Sequence, residues 1–232
     1  MQPDLRSNFL LISKEWEDYG KEIITKSGVS GTVTDVEDPL YTTITEHIPV
    51  DLSSINGKKP FHDILLSKGS PGEGNKSLAP WIATFNTDLT TSAKKEFYVV
   101  YLFSGDLKNL YLSIAFGVTS FETLFGRGKK SLEAIRSAAS KKRNLSMNLV
   151  KETFNERTLN KVISSPIDVA RGHYNFLHRA YGEGAIFSLE YDLDDLPDNN
   201  ILIEDYEQIL DLYIEIEKDV SIPSVEEFAV SE

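Results

Sequence analysis

The chain has 232 residues, no cysteine and a net charge of −12, a length that suits one large domain or one domain with appendages. Without cysteine, disulfides and thiolate metal sites are excluded, and no apolar run reaches the roughly 18 residues a membrane-spanning helix needs. The stretch from Met1 to Trp16 carries acidic residues and no long apolar segment, so no signal peptide is expected and the protein reads as cytoplasmic.

Leu5 to Ile23 reads as an amphipathic helix, with Leu5, Phe9, Ile12, Trp16 and Ile23 at roughly helical spacing. Lys26 to Asn56 reads as irregular, because β-branched runs such as Thr42-Thr43-Ile44 sit among Gly, Ser, Asp and Pro. Phe61 to Ser67 reads as a strand entering a glycine-rich loop, Gly69 to Asn75. Strands are expected at Trp81–Phe85, Glu96–Ser104 and Asn109–Phe116, with Gly105-Asp106 forming a hairpin turn between the last two. Ser120–Phe125 and Ser131–Asn144 read as helices separated by Gly126-Arg127-Gly128, with Ser131 as an N-cap. A short extended piece around Pro166 precedes a strand at Ala185–Tyr191, and Ile201–Ile216 reads as a helix with Ile203, Tyr206, Leu210 and Tyr213 on one face. The pattern is α+β: a central mixed or antiparallel sheet flanked by α-helices. Its parts are an N-terminal helix and irregular segment (1–60), a main domain (61–218) and an acidic tail or linker (219–232).

An acidic chain argues against a generic DNA binder, but the charge is uneven. Arg127 to Lys161 holds ten Lys or Arg against three Glu, whereas Glu183 to Glu232 holds sixteen Asp or Glu against one Lys. Taken alone, each run reads as a solvated helix face.

Several catalytic chemistries are absent. Gly126-Arg127-Gly128-Lys129-Lys130-Ser131 resembles a phosphate-binding loop only superficially, with Thr123 where the first glycine belongs and Lys130 where the Mg²⁺-binding hydroxyl belongs. His173 and His178 are five apart and form no helical metal pair. Asp192, Asp194 and Asp195 read as a solvated strand end, since no Glu-x-Lys follows them to complete a nuclease set. No enzyme, cofactor or metal site is expected.

One constellation stands out. Gly72-Glu73-Gly74-Asn75 precedes Pro80-Trp81-Ile82-Ala83, and glycines at 69, 72 and 74 let a backbone turn sharply or approach a phosphate. By itself this is a loop before a strand with a core tryptophan. The ordered run is more specific: Gly-x-Gly-Asn, Pro-Trp-Ile-Ala-x-Phe, Thr90-Thr91-Ser92-Ala93, Phe97 to Phe103, Leu110 to Ser113 and Gly117-Val118-Thr119. Tyr181-Gly182-x-Gly184-Ala185-Ile186, Tyr191-Asp192-Leu193 and Asp195-Leu196-Pro197 follow. This run, roughly Phe61 to Lys218, resembles the N-terminal DNA-binding domain of McrB-type modification-dependent restriction enzymes.

The resemblance implies a domain that binds double-stranded DNA carrying 5-methylcytosine or a related modified cytosine and flips that base into an aromatic pocket. The matching pocket positions are Trp81, Tyr98, Leu102 and Tyr181. Tyr98 and Leu102, four apart on a strand, share a face, and Tyr181 sits beside an expected turn at Gly182. Each of these residues, taken alone, suits a core as well as a pocket. The loop Gly72, Glu73, Gly74 and Asn75 would face DNA, although Glu73 departs from the aromatic or uncharged residue the family loop often carries there. Phosphate contacts would come from Lys68, Lys76, Arg127, Lys129 and Lys130. In relatives the domain leads into an AAA+ GTPase motor that recruits a separate nuclease; neither is expected in this sequence. Two other readings stay open: a protein-interaction module of the same fold without DNA affinity, favoured by the net charge and Glu73, and a nuclease built on the Asp192 to Asp195 cluster.

Overall fold

The computed structural model describes residues 2–19, 38–72, 76–173 and 175–219. Helix α1 (Leu5–Glu15) starts where the Asp4 carboxylate accepts from the Ser7 amide, and it buries Leu5, Phe9 and Ile12. The part of the expected first helix beyond Tyr19, like the tail 220–232, lies outside the described residues.

The segment read as irregular is helical from residue 39 onward. Helix α2 (Pro39–Thr42), a π-helical turn (Thr43–His47) and α3 (Ile48–Asn56) follow without a break. Asp38 caps the start by accepting from the Leu40 amide at 2.7 Å, ahead of Pro39. The threonines that argued against a helix satisfy their hydroxyls on carbonyls one turn back, Thr43 on Pro39 and Thr45 on Tyr41, both at 2.8 Å. Leu40, Ile44, Ile48, Leu52 and Ile55 then form one buried stripe.

Strands β1 (Leu65–Ser70), β2 (Trp81–Asn86), β3 (Phe97–Phe103), β4 (Asn109–Phe116) and β5 (Ala185–Asp192) make one antiparallel sheet in that spatial order. The expected α+β class holds, with the sheet antiparallel throughout. β1 begins four residues later than expected, after a 3₁₀ turn at His62–Ile64, and continues through Gly69 and Ser70. Gly69 lies within β1, opposite Ile82, and a Cβ there would meet the Ile44 carbonyl oxygen at 1.8 Å. Its missing side chain admits the π turn against the sheet rather than bending a loop. Between β3 and β4 it is Leu107 that takes the left-handed conformation, with φ 57°. Gly105 and Asp106 form the expected turn, closed by the Leu107 amide donating to the Ser104 carbonyl at 2.9 Å, and Gly105 also lets the backbone at Ala170 approach, where a Cβ would stand 2.8 Å from the carbonyl oxygen.

The β4-to-β5 connection carries α4 (Val118–Phe125), α5 (Lys129–Thr153), α6 (Glu156–Leu159) and α7 (Phe176–Glu183), and α8 (Asn199–Lys218) follows β5. α5 starts two residues before Ser131 and runs nine beyond Asn144. Ser131 is therefore inside the first turn, with its hydroxyl donating to the Gly128 carbonyl at 2.9 Å, and is not the N-cap. α7 was not foreseen; Asn175 caps it by accepting from the His178 amide at 3.2 Å.

Alternation along the strands divides the sheet into two faces. Ile82, Val99, Tyr101, Leu112, Ile114 and Leu189 point into the main core, with residues of α1, α3 and α8. A closed ring of buried hydrogen bonds stitches that face together: Asn56 to Ser67, Ser67 with Thr84, Thr84 with Tyr206, and Tyr206 back to Asn56. Every hydroxyl in the ring is satisfied, which is what makes a polar cluster tolerable in a core. The opposite face carries a smaller cluster: Ala83, Phe85, Tyr98, Val100, Leu102, Tyr111 and Ala115, covered by Val169, Ile167 and Tyr181.

Candidate nucleic-acid interface

All four residues singled out in the sequence meet on this second face. Trp81 stands directly opposite Leu102, and Leu102 opposite Tyr111, so the three form a row across β2, β3 and β4. Tyr98 lies two pleat repeats away from Leu102 along β3, on the same face, its ring 5.1 Å from that of Phe85 and its hydroxyl donating to the Ala93 carbonyl at 3.0 Å. Burial first, and then the neighbouring Tyr181 phenol, hold the Tyr98 pKa well above its ordinary value, so its O–H stays protonated. Tyr98 and Leu102 are buried, at 3% and 4% exposure, while Trp81 and Tyr181 are half-buried. Tyr181 is inside helix α7, not beside a turn, and packs against both clusters.

What covers Tyr98 and Leu102 is a strap, residues 163–173. Ile163 pairs with Ser188 of β5. The Ile167 amide donates to the Gly182 carbonyl at 3.2 Å, and the Gly105 amide donates to the Val169 carbonyl at 2.8 Å. Gly182 is required there: a Cβ would sit 2.1 Å from the Ile167 carbonyl oxygen. The far end of the strap is tied by Arg171, which holds a left-handed φ of 45°. Its guanidinium donates to the Tyr111 hydroxyl at 2.6 Å and pairs with Glu190. Strain of this kind persists only where surrounding contacts over-determine it, and here the ion pair and the Asp168 carboxylate, which accepts from the Arg171 amide at 2.9 Å, supply them.

The glycine-rich loop leaves the sheet beside Trp81. Gly72 takes φ 128° and the Ser77 amide closes the stem onto the Pro71 carbonyl at 2.9 Å. Glu73, Gly74 and Asn75 lie outside the described residues. Lys76 reaches back to the C-terminal end of α1, donating to the Trp16 carbonyl and, at 3.2 Å, to that of Glu17, with its ammonium 4.9 Å from the Trp16 ring. The Trp16 indole in turn donates to the Leu78 carbonyl at 3.0 Å, so both contacts pin the loop's outgoing root to α1.

Most of the basic run is engaged within the fold. Arg127 pairs with Glu122 at 3.6 Å and lies over the Phe176 ring, and Lys129 pairs with Glu133 at 3.4 Å. Arg136 meets Glu183, and Arg157 meets Asp205 at 2.8 Å. Arg143 is buried, its guanidinium donating to the carbonyls of Ile186 and Ala185 at 2.8 and 2.7 Å where β5 begins. Lys142 sits 4.2 Å from the Phe97 ring. Lys130 is exposed, and so is Lys68, whose ammonium reaches the Thr91 carbonyl at 3.3 Å.

The aspartates after β5 form a turn, with the Asp192 carboxylate accepting from the Asp194 amide at 2.9 Å. Among the described residues no three His, Cys, Asp or Glu side chains are gathered as metal ligands, and no helix is long and apolar enough to cross a membrane. Sequence reasoning missed Tyr111, Ile167, Val169 and His178, all packed around the four aromatic and aliphatic positions or their cover. The one signal in the sequence was Gly182, a glycine inside a segment that folds as helix, which marks a close backbone approach.

The fold is thus an α+β domain whose sheet has one face sunk in helices and the other lined with aromatics under a strap. A family model described as MrcB-like, N-terminal domain matches residues 29–218, and the chain belongs to that family. No curated protein and no solved structure matches the chain.

Proposed function

We propose that the domain binds duplex DNA containing a modified cytosine, 5-methylcytosine or a close relative, and accepts the flipped base on the second sheet face. Trp81 and Tyr181 serve as the stacking walls and Tyr98 and Leu102 as the floor. The observation that carries this reading is the convergence of four side chains, separated by up to a hundred residues, into one largely aromatic cluster on the second sheet face. Extruding a base costs a few kcal/mol, and stacking on an aromatic ring returns about 1–3 kcal/mol per base. Two walls balance that cost where one does not. Because Tyr98 and Leu102 are covered, a base reaches them only as the Trp81 ring or the strap gives way.

In this reading the domain performs no chemistry. It supplies specificity to a cytoplasmic modification-dependent restriction system, phage defence included, whose GTPase motor and nuclease act on the DNA it marks. Backbone contacts fall to the loop Gly72 to Asn75 and to cations of the same domain. Lys68 and Lys130 are the more available of these; Arg127 and Lys129 would exchange a carboxylate for a phosphate. A second reading, a protein-interaction module, is favoured by those same ion pairs and the net charge of −12.

The test is a binding panel of one duplex bearing cytosine, 5-methylcytosine, 5-hydroxymethylcytosine or N4-methylcytosine at a single site, at two salt concentrations. The DNA-reading proposal expects preference for one modified duplex and loss of that preference in Trp81→Ala and Tyr181→Ala with the fold intact. No binding to any duplex at low salt, where phosphate contacts are strongest, would leave the protein-interaction reading.

A further inference from the structure

One turn before Tyr181 on α7 lies a histidine that the stacking walls do not account for. His178 is 4% exposed, its ring meets that of Tyr181 edge-on with centroids 6.0 Å apart, and its Nδ1 is buried without a hydrogen-bond partner among the described residues. Buried side-chain nitrogens are nearly always paired, and the unpaired ones call for an explanation. Packing alone does not supply one, because a phenylalanine fills the same space with no polar atom to desolvate.

Position along the helix says what His178 faces. Residues 178, 181 and 182 share a side of α7. Gly182 on that side touches the strap at Ile167, and Tyr181 packs into the second-face cluster. His178 lies on the same side, beside Tyr181, with His173 of the strap close enough to act on its charge. Burial, and then His173, push its pKa down to about 4. Around neutral pH the ring carries one donor and one acceptor, the pair that can meet a base edge.

We infer that His178 reads the hydrogen-bonding edge of the base stacked on Tyr181, with Nδ1 accepting from the exocyclic amino group of a 4-aminopyrimidine. This rests on the base-flipping reading and adds to it. Stacking walls hold any base, whereas a buried polar group distinguishes cytosine-type rings from thymine, which presents a keto oxygen at the same position.

The experiment compares wild type, His178→Phe and Trp81→Ala on three duplexes that differ at one site: 5-methylcytosine opposite guanine, cytosine opposite guanine, and thymine mismatched with guanine. The mismatch lowers the cost of extrusion and carries the same 5-methyl group, so preference for 5-methylcytosine over it isolates the 4-amino contact. Wild type is expected to keep that preference. His178→Phe is expected to retain its melting temperature, lose tenfold or more in affinity for the 5-methylcytosine duplex, and bind it no better than the mismatch. In wild type, the imidazole ¹⁵N resonance of His178 Nδ1 is expected to move on adding the 5-methylcytosine duplex and not the plain one, a readout that does not depend on the variant folding. If His178→Phe discriminates like wild type, or the resonance stays put while Trp81→Ala abolishes preference, His178 is structural and the inference is wrong. If Trp81→Ala discriminates like wild type as well, the base-flipping reading falls and takes this inference with it.

Discussion

Gly182→Ala tests how tightly the strap is seated on α7. The added methyl would stand 2.1 Å from the Ile167 carbonyl oxygen, where real contacts stop near 3.0 Å, so one backbone must retreat by about 0.9 Å. Neither side yields easily. Gly182 is inside α7, and the strap is held on both sides of Ile167 by the Ile163–Ser188 pairing and the Gly105–Val169 hydrogen bond. Overpacking of this kind costs about 1–3 kcal/mol, and loss of the Ile167–Gly182 hydrogen bond adds about 1 kcal/mol. The sum, about 2–4 kcal/mol, lowers the melting temperature of a chain this size by roughly 5–15 °C. Gly57→Ala is the control. Gly57 ends α3 with φ −56°, and its Cβ would find nothing nearer than 3.5 Å, so that variant should melt within a few degrees of wild type or slightly above it. Calorimetry on the two variants decides the matter. If Gly182→Ala matches Gly57→Ala, the strap is loosely seated and the argument that it shields Tyr98 and Leu102 is wrong.

Arg143→Met should destabilise the domain by about 2–4 kcal/mol in urea titration, because it leaves the buried Ile186 and Ala185 carbonyls without donors. Arg143→Lys should recover little, since one ammonium cannot reproduce the paired geometry. Lys76→Met should weaken binding to a modified duplex while leaving the slope of log affinity against log salt unchanged, because its ammonium is spent on α1 carbonyls; a slope smaller by about one would mark a phosphate contact instead. The His178 pKa near 4 lies below the unfolded value of about 6.5, so between those limits the unfolded chain binds the extra proton. Stability that is complete above pH 6.5 is therefore lost as pH falls towards 4. His178→Phe should remove up to one proton's worth of that slope in chemical denaturation across pH 4.5 to 7, and an unchanged slope would show the ring is not buried neutral.

The sheet was largely legible because its strands are near-continuous apolar runs rich in aromatic and β-branched residues and the turns between them carry polar residues: Asn109–Phe116 matches β4 end to end, and Trp81, Phe97 and Ala185 mark strand starts to within a residue. The helical run of residues 39–56 was hidden by its threonines, although the spacing of Leu40, Ile44, Ile48, Leu52 and Ile55 was there to be read. β-branched, hydroxyl-bearing residues argue against a helix until their hydroxyls find carbonyls one turn back. Family membership was also carried by the sequence, through the order of its motifs from Gly72 to Val118 and at Tyr181-Gly182.

Local pattern assigns Tyr98 and Leu102 to one face but does not say what covers that face. Trp81, Tyr98, Leu102 and Tyr181 became a cluster only because β2 and β3 pair in the register that sets Trp81 against Leu102 and α7 returns across the same side. The basic run from Arg127 to Lys161 looked like a surface for phosphates; Arg127 and Lys129 have carboxylates close by in sequence, but only tertiary packing turned Arg143 inward and gave Arg136 and Arg157 their carboxylate partners. Glycine function was equally undecided. Gly69 and Gly182 bend no turn and Gly105 does more than bend one; each is small because another backbone comes within contact distance. Periodicity records which way a residue faces along its own element, and that the sequence determined. Which element arrives opposite it depends on long-range packing, and only the folded structure decided that.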